Sequence, residues 1–209
     1  MKAILSTVFA VFLWISSSYA NTDTQELKAY VTNLIDEGYE MFNDKSLSDS
    51  ERSKKSEALI KSHLHLDWMA QQSLGRHRRE LSSDQIAKFS KIYSEFVVRA
   101  YTELSSHYDG EKAVLKNIKQ IDDDMFMVNL EIPKPDSKSP IKIEYLVHKL
   151  EKGEKDSYLI GDIITEGVSI LNSQQAEFNS VLSSGGIDAL MNKLKARAEK
   201  NTDTKPTLN

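Results

Sequence analysis

Three histidines and a run of arginines are the residues best placed to do chemistry in this chain. His63 and His65 stand two apart, and His77 follows inside Arg76-His77-Arg78-Arg79. On a strand, positions i and i+2 share a face and could clamp one metal ion. The spacing around His63 is helical, and on a helix those two positions diverge. They are expected to be ordinary helix or loop histidines. The chain has no cysteine. That removes thiolate ligands, disulfides, a cysteine nucleophile and a lipidated N-terminal cysteine together. No G-x-S-x-G elbow, phosphate loop or dinucleotide fingerprint occurs. A hydrolase would need a Ser, a His and a carboxylate to converge in space with no local signature. The expectation is a protein with no catalytic residue, no metal and no cofactor.

The arginines have two readings. Arg76, Arg78 and Arg79 can meet a phosphate-bearing headgroup or an acidic patch on a partner, or they can be a solvated turn between helices. The whole chain carries 27 Lys and Arg against 31 Asp and Glu, a net charge of −4. Phosphate-backbone binding runs on dense basic patches, so no nucleic acid is expected as a partner. The acidic sign also disfavours adsorption to anionic headgroups.

These residues must be positioned by the elements around them. Leu27, Val31, Leu34, Ile35 and Phe42 form a helical stripe over Gln25 to Phe42. Asn43 to Ser53 is polar and serine-rich, which predicts a loop or a frayed helix start. A second helical stretch carries Leu59, Ile60 and Leu64, and Gly75 is its plausible stop. Ser82-Ser83-Asp84-Gln85 is a capping box. Behind it Ile86, Phe89, Tyr93, Phe96, Val97, Ala100, Tyr101, Leu104 and Tyr108 keep a spacing of three and four up to Gly110. So long and aromatic a stripe must face something large and apolar, a core or a ligand cavity.

After Gly110 the period becomes two. Phe126, Val128, Leu130 and Ile132 alternate with polar positions, as do Ile141, Ile143, Tyr145 and Val147. Tyr158, Ile160, Asp162 and Ile164 make a third alternating run, and Val114 to Ile121 a weaker one. Pro133, Pro135 and Pro140 fall between two runs and belong outside central ladders. Helix returns over Gln174 to Leu182, breaks at Gly185-Gly186, and resumes from Ile187 to Lys200. Helices, then antiparallel strands, then helices predict an α+β fold. Its helices would pack on one face of a curved antiparallel sheet of about four strands, enclosing an apolar pocket.

Residues 1–20 read as an export signal. Lys2 precedes the apolar run Ala3 to Ile15, and Ser18-Tyr19-Ala20 offers small residues for cleavage. The run is too short to span a bilayer comfortably. The expected organisation is a signal peptide at 1–20, one domain at 21–200 and a disordered tail at 201–209.

Several segments resemble the MlaC family, also known as toluene-tolerance or ABC-transporter auxiliary proteins. In the helical half these are Leu74-Gly75-Arg76, Leu81-Ser82-Ser83-Asp84-Gln85, Phe89, Phe96 and Tyr101. A stronger match is Gly161-Asp162-Ile163-Ile164-Thr165-Glu166-Gly167-Val168-Ser169, followed by Glu177-Phe178, Gly185-Gly186 and Leu190. It is similar to the family's D-x-x-x-x-G-V-S junction. Where members often carry a Trp shortly before that Asp, this chain has Tyr158 and Leu159.

The resemblance implies a soluble periplasmic phospholipid carrier. Its partners would be phospholipid, an inner-membrane ABC transporter complex with its substrate-binding subunit, and an outer-membrane lipoprotein complex. The lipid tails are then expected between the long aromatic helix and the sheet. Candidate lining residues are Tyr93, Phe96, Val97, Tyr101 and Leu104 from the helix, and Phe126, Val128, Leu130, Tyr145 and Val147 from the sheet. Ile164 and Val168 would close one side. Arg76, Arg78 and Arg79 are candidates for headgroup or partner contact. An exported lipid-free adaptor and an exported hydrolase are the competing readings.

Overall fold

Serine caps set the starts of three of the helices. In the computed structural model, Ser82 donates its backbone N–H to Gln85 Oε1 at 2.9 Å, and Gln85 N–H reaches back to Ser82 Oγ at 3.2 Å. This capping box starts α4 (Ser83–Ser105) on the expected residues. The structure describes residues 16–105, 110–135, 137, 139–152 and 155–200. The expected signal run Ala3 to Ile15, the tail 201–209 and Tyr108 lie outside the described residues, as does the side chain of Leu104.

Ahead of α4 stand α1 (Ser16–Asn43), α2 (Asp49–His63), α3 (Leu66–Ser73) and a 3-10 turn at Gly75–Glu80. The segment expected as a loop or a frayed helix start over Asn43 to Ser53 is a turn at 44–48 that leads into α2. Ser48 and Glu51 form a second capping box that starts α2 at Asp49. Arg52 then binds the end of α1. Its guanidinium donates to the carbonyls of Met41 (2.7 Å), Phe42 (2.8 Å), Asp44 (3.0 Å) and Leu47 (3.3 Å). Helix C-termini leave carbonyls without intrahelical donors, and one side chain here serves two of them and two more in the turn.

The sheet runs β1 (Val114–Asp122), β2 (Met125–Ile132), β3 (Ile141–Lys152), β4 (Lys155–Thr165) and β5 (Val168–Ser169), in that order and antiparallel throughout. Among the described residues it has five strands, one more than expected because of the two-residue β5, and it does not close into a barrel. Pro133, Pro135 and Pro140 all sit outside the ladders. The register sets Phe126 opposite Val147, Val128 opposite Tyr145 and Leu130 opposite Ile143. Directly opposed residues share a face, so these six form one apolar surface.

A bulge corrects the expected alternation of β4. Val147 pairs with Ile160 and Leu146 with Asp162, leaving Gly161 as the extra residue. An extra residue inverts every later side chain on that strand. Ile163 therefore opposes Tyr145 and joins the apolar face, whereas Ile164 opposes Glu144. Gly161 also has a packing reason to lack a side chain. A Cβ there would lie 2.7 Å from His148 Cε1 and 3.1 Å from the Trp68 ring.

After β5 the chain enters α5 (Ile170–Lys200), two helices joined at a kink where the break was expected. The kink is at Gly186, with φ 71 and ψ −172, a conformation that glycine alone adopts readily. Glu177 clips the two halves together. It pairs with Lys193 at 2.8 Å and Arg197 at 2.9 Å. Partial burial opposes ionisation, but hydrogen bonds from both cations outweigh it and hold this carboxyl below the usual range.

One apolar core joins the layers. Leu27 and Val31 of α1, Met69 of α3, Phe89, Tyr93 and Val97 of α4, and Phe178, Leu190 and Leu194 of α5 are buried with Phe126, Val128 and Val147 of the sheet. Side chains of this size each contribute about 1.5–3 kcal/mol on burial. Among the described residues, no helix is long and apolar enough to cross a membrane.

Candidate functional site

The interior between α4 and the sheet holds most of the expected lining residues. Tyr93, Val97, Phe126, Val128, Leu130 and Val147 are buried, and Phe96, Tyr101 and Tyr145 pack half-buried against the same cluster. The backbone of α4 makes its close approaches to α5, α2 and α3, and the sheet makes its own to α1, α2, α3 and α5. Phe89 and Tyr93 meet Phe178 edge-on, with ring centroids 6.3 and 6.2 Å apart. Two expected positions lie elsewhere. Ile164 shares its ladder position with Glu144, and Val168 is 60% exposed at the β4–β5 turn.

The interior is apolar but carries hydroxyls. Tyr93 donates to Gln174 Oε1 at 2.6 Å, and Tyr158 to the carbonyl of Asp23 at 3.3 Å. The Tyr30 hydroxyl meets His63 Nδ1 at 2.8 Å. Burial pushes the hydroxyls of Tyr30, Tyr93 and Tyr101 well above the usual tyrosine range, and neighbouring Tyr and Asp groups add to it. They are neutral donors at any ordinary pH. The hydroxyl of Tyr101 is closed off from solvent and has no hydrogen-bond partner among the described residues.

Asp162 explains the strongest sequence motif. Its Oδ1 accepts from the backbone N–H of Ile163 (2.9 Å) and Leu171 (3.0 Å), and its Oδ2 from Ser169 Oγ at 2.5 Å. Ser169 Oγ in turn accepts from Asn172 N–H at 2.9 Å, which makes it the N-cap of α5. Glu166 (φ 51) and Gly167 (φ 80) both take positive φ, the two-residue turn that matches the twist of a hairpin. The motif is thus a joint that fixes α5 to β4. Sequence reading found the pattern but not this role.

The histidines expected to be structural form contacts across the fold. His65 Nδ1 lies 2.8 Å from His148 Nδ1, and the His148 ring sits edge-on to Trp68 at 4.4 Å between centroids. His148 was not singled out by the sequence, because the two histidines are 83 positions apart. Among the described residues no cluster of three or more His, Asp or Glu could hold a metal ion.

Two clefts open on the helical side. One of about 1180 Å³ is lined by α2, α4 and the end of α5, with Arg52, Glu57, Lys91, Glu95 and Arg99 among its charged residues. The other, about 690 Å³, lies between the 3-10 turn and α5 and is lined by Arg76, Arg79, Gln72, Asn172 and Gln175. Arg76, Arg78 and Arg79 are all exposed, and no carboxylate among the described residues pairs with them.

Helices packed on one face of an open, curved antiparallel sheet, over an apolar interior that carries buried hydroxyls, define the class of the protein as α+β, and neither cleft is lined by the residues expected to hold the tails. The chain belongs to the MlaC family, whose model, described as MlaC protein, matches residues 32–196. It is a family of non-enzymatic lipid-binding proteins. The chain is similar to the "Intermembrane phospholipid transport system binding protein MlaC" of Haemophilus influenzae, at 24% identity over 140 residues. That match covers 66% of this chain and 64% of the relative's length, just under two thirds. Among solved structures it is similar in fold to the phospholipid-binding protein of Ralstonia solanacearum in complex with a phospholipid. There the TM-score is 0.69 at 17% identity, covering 84% of this chain and 98% of that one.

Proposed function

We propose that this chain is a soluble periplasmic phospholipid carrier. It would shuttle glycerophospholipid between an outer-membrane lipoprotein complex and an inner-membrane ABC transporter with its substrate-binding subunit. The observation that carries this reading is the span of the family match, which takes in the C-terminal part of α1, all of α2 to β5 and most of α5, and so reaches every layer of the fold. The names of the Haemophilus and Ralstonia proteins support the class of ligand.

The physics of the task suits the fold. An acyl methylene left in water costs about 0.8 kcal/mol. Two tails with about thirty methylenes would cost on the order of 24 kcal/mol if exposed, so a lipid crosses an aqueous gap only when enclosed. In this reading the tails lie between α4 and the sheet, against Tyr93, Phe96, Val97, Tyr101 and Leu104 on one side. Phe126, Val128, Leu130, Tyr145, Val147 and Ile163 form the other. Arg76, Arg78 and Arg79 meet the headgroup or an acidic partner surface, because unpaired exposed guanidiniums are free to do so. No covalent step is required.

The test is to denature the purified protein and identify extracted lipid by mass spectrometry. Stoichiometric phospholipid is expected, and its loss, with folding kept, in Tyr145→Glu. An empty wild-type protein would support the adaptor instead, and lysolipid or free fatty acid accumulating with time would support a hydrolase.

A further inference from the structure

Tyr101 presents a hydroxyl that no group among the described residues meets. Buried hydroxyls in folded proteins are almost always hydrogen-bonded, and an exception calls for an explanation. The other tyrosines of this interior show that the fold can supply partners. Tyr93 has Gln174, Tyr30 has His63 and Tyr158 has the Asp23 carbonyl. Tyr101, on the same helix as Tyr93 and two turns further on, has none.

The surroundings say what kind of atom is missing. Tyr101 is held protonated, first by burial and then by the nearby Asp162 and Tyr145, so its hydroxyl carries a proton for which no acceptor is found among the described residues. The obvious acceptor nearby, Asp162, already takes three hydrogen bonds from Ile163, Leu171 and Ser169. Its carboxylate also repels a second anion, and that repulsion is strong where solvent is excluded. A phosphate oxygen is therefore a poor occupant beside Tyr101, and a neutral carbonyl oxygen a good one.

We infer that Tyr101 is a binding residue that donates its hydroxyl to the carbonyl oxygen of an acyl ester at the junction between a lipid's glycerol and its tails. This rests on the carrier reading and adds a chemical preference that apolar burial cannot provide. Apolar walls do not distinguish an ester-linked tail from an ether-linked tail of equal length, whereas a hydroxyl aimed at the carbonyl does.

The experiment offers the full-length protein vesicles holding equal amounts of dipalmitoyl phosphatidylethanolamine and its dihexadecyl diether analogue. The ratio of the two lipids bound is read by mass spectrometry. Wild type is expected to favour the diacyl lipid about fivefold, the worth of one neutral hydrogen bond of about 1 kcal/mol. Tyr101→Phe is expected to bring the ratio to one while binding both lipids. Because it removes an unpaired oxygen, its thermal unfolding should stay at or above that of wild type. Tyr30→Phe, whose hydroxyl meets His63 and which lies outside the proposed lining, should keep the fivefold ratio. A wild-type ratio of one, or a preference that survives in Tyr101→Phe, overturns the inference and leaves the carrier reading intact. If wild type takes up neither lipid, the carrier reading fails and this inference with it.

Discussion

Replacing Asp162 tests how the sheet and the last helix are joined. Asp162→Ala removes the acceptor for two backbone N–H groups, one of them on buried Leu171, and for the Ser169 hydroxyl. Hydrogen bonds to a charged group contribute about 1.5–3 kcal/mol each, and a helix cap about 1 kcal/mol. The Ile163 N–H belongs to the residue next in sequence and holds less favourable geometry, so its share is small. The Ser169 hydroxyl can turn to solvent but then holds Asn172 less firmly. The sum for Asp162→Ala is about 3–5 kcal/mol. For a chain of this length that is a fall in melting temperature of about 10 °C. Asp162→Asn keeps an acceptor for Leu171 N–H and loses only the acceptor for Ser169, so it should cost about 1–2 kcal/mol. Urea denaturation with unchanged m-values measures both. A loss under 1 kcal/mol for the alanine variant, or equal losses for the two, would show that the joint is held by packing and not by this carboxylate.

Three further outcomes are expected. Arg52→Ala leaves the carbonyls of Met41, Phe42, Asp44 and Leu47 without their donor and should destabilise by about 2–3 kcal/mol in the same assay, whereas Lys61→Ala on the exposed face of α2 should cost under 0.5 kcal/mol. Gly161→Ala drives a methyl to within 2.7 Å of His148 and should cost about 1–3 kcal/mol, with partial recovery when His148 is also replaced by Ala. Stability should fall as the pH drops. His148 is held below the ordinary histidine range by burial and then by His65, against the pull of Asp124, and His63 by burial, against Glu37. The unfolded chain takes up these protons near pH 6.5 while the folded one resists. The loss therefore begins as pH falls through 6.5, with a slope of up to about 1.4 kcal/mol per unit for each histidine. Urea midpoints at pH 7.5 and 5.5 measure it, and a flat profile would refute it.

Local patterns gave most of the fold away in advance. The Ser82–Gln85 box, the aromatic stripe of α4 as far as Tyr101 and the alternation of Phe126, Val128 and Leu130 all appear as read. The Ser48–Glu51 box was equally visible in sequence but was hidden by the polar composition around it. What stayed hidden depends on contacts across the chain. Arg52 caps α1 only because the turn at Asp44 folds back on it. The Gly161 bulge, which swaps Ile163 for Ile164, exists only relative to β3 and has no signature within β4.

The site was less legible than the fold, and the reason lies in what each requires of a residue. The joint around Asp162 needs particular groups at particular points: a carboxylate that accepts three bonds, a glycine at φ 80 and a hydroxyl at the helix cap. Few substitutions satisfy such demands, so the joint leaves a recognisable string, Asp162 to Ser169. A wall for hydrocarbon needs only apolar volume, which Val, Ile, Leu and Phe supply interchangeably. The string thus marks the joint that holds the fold together, and an apolar lining is close to silent. Where the lining departs from plain apolar volume, as at the unpartnered hydroxyl of Tyr101, the departure carries chemical information. That is why discrimination between lipids is better sought at such polar interruptions than in the apolar residues that surround them.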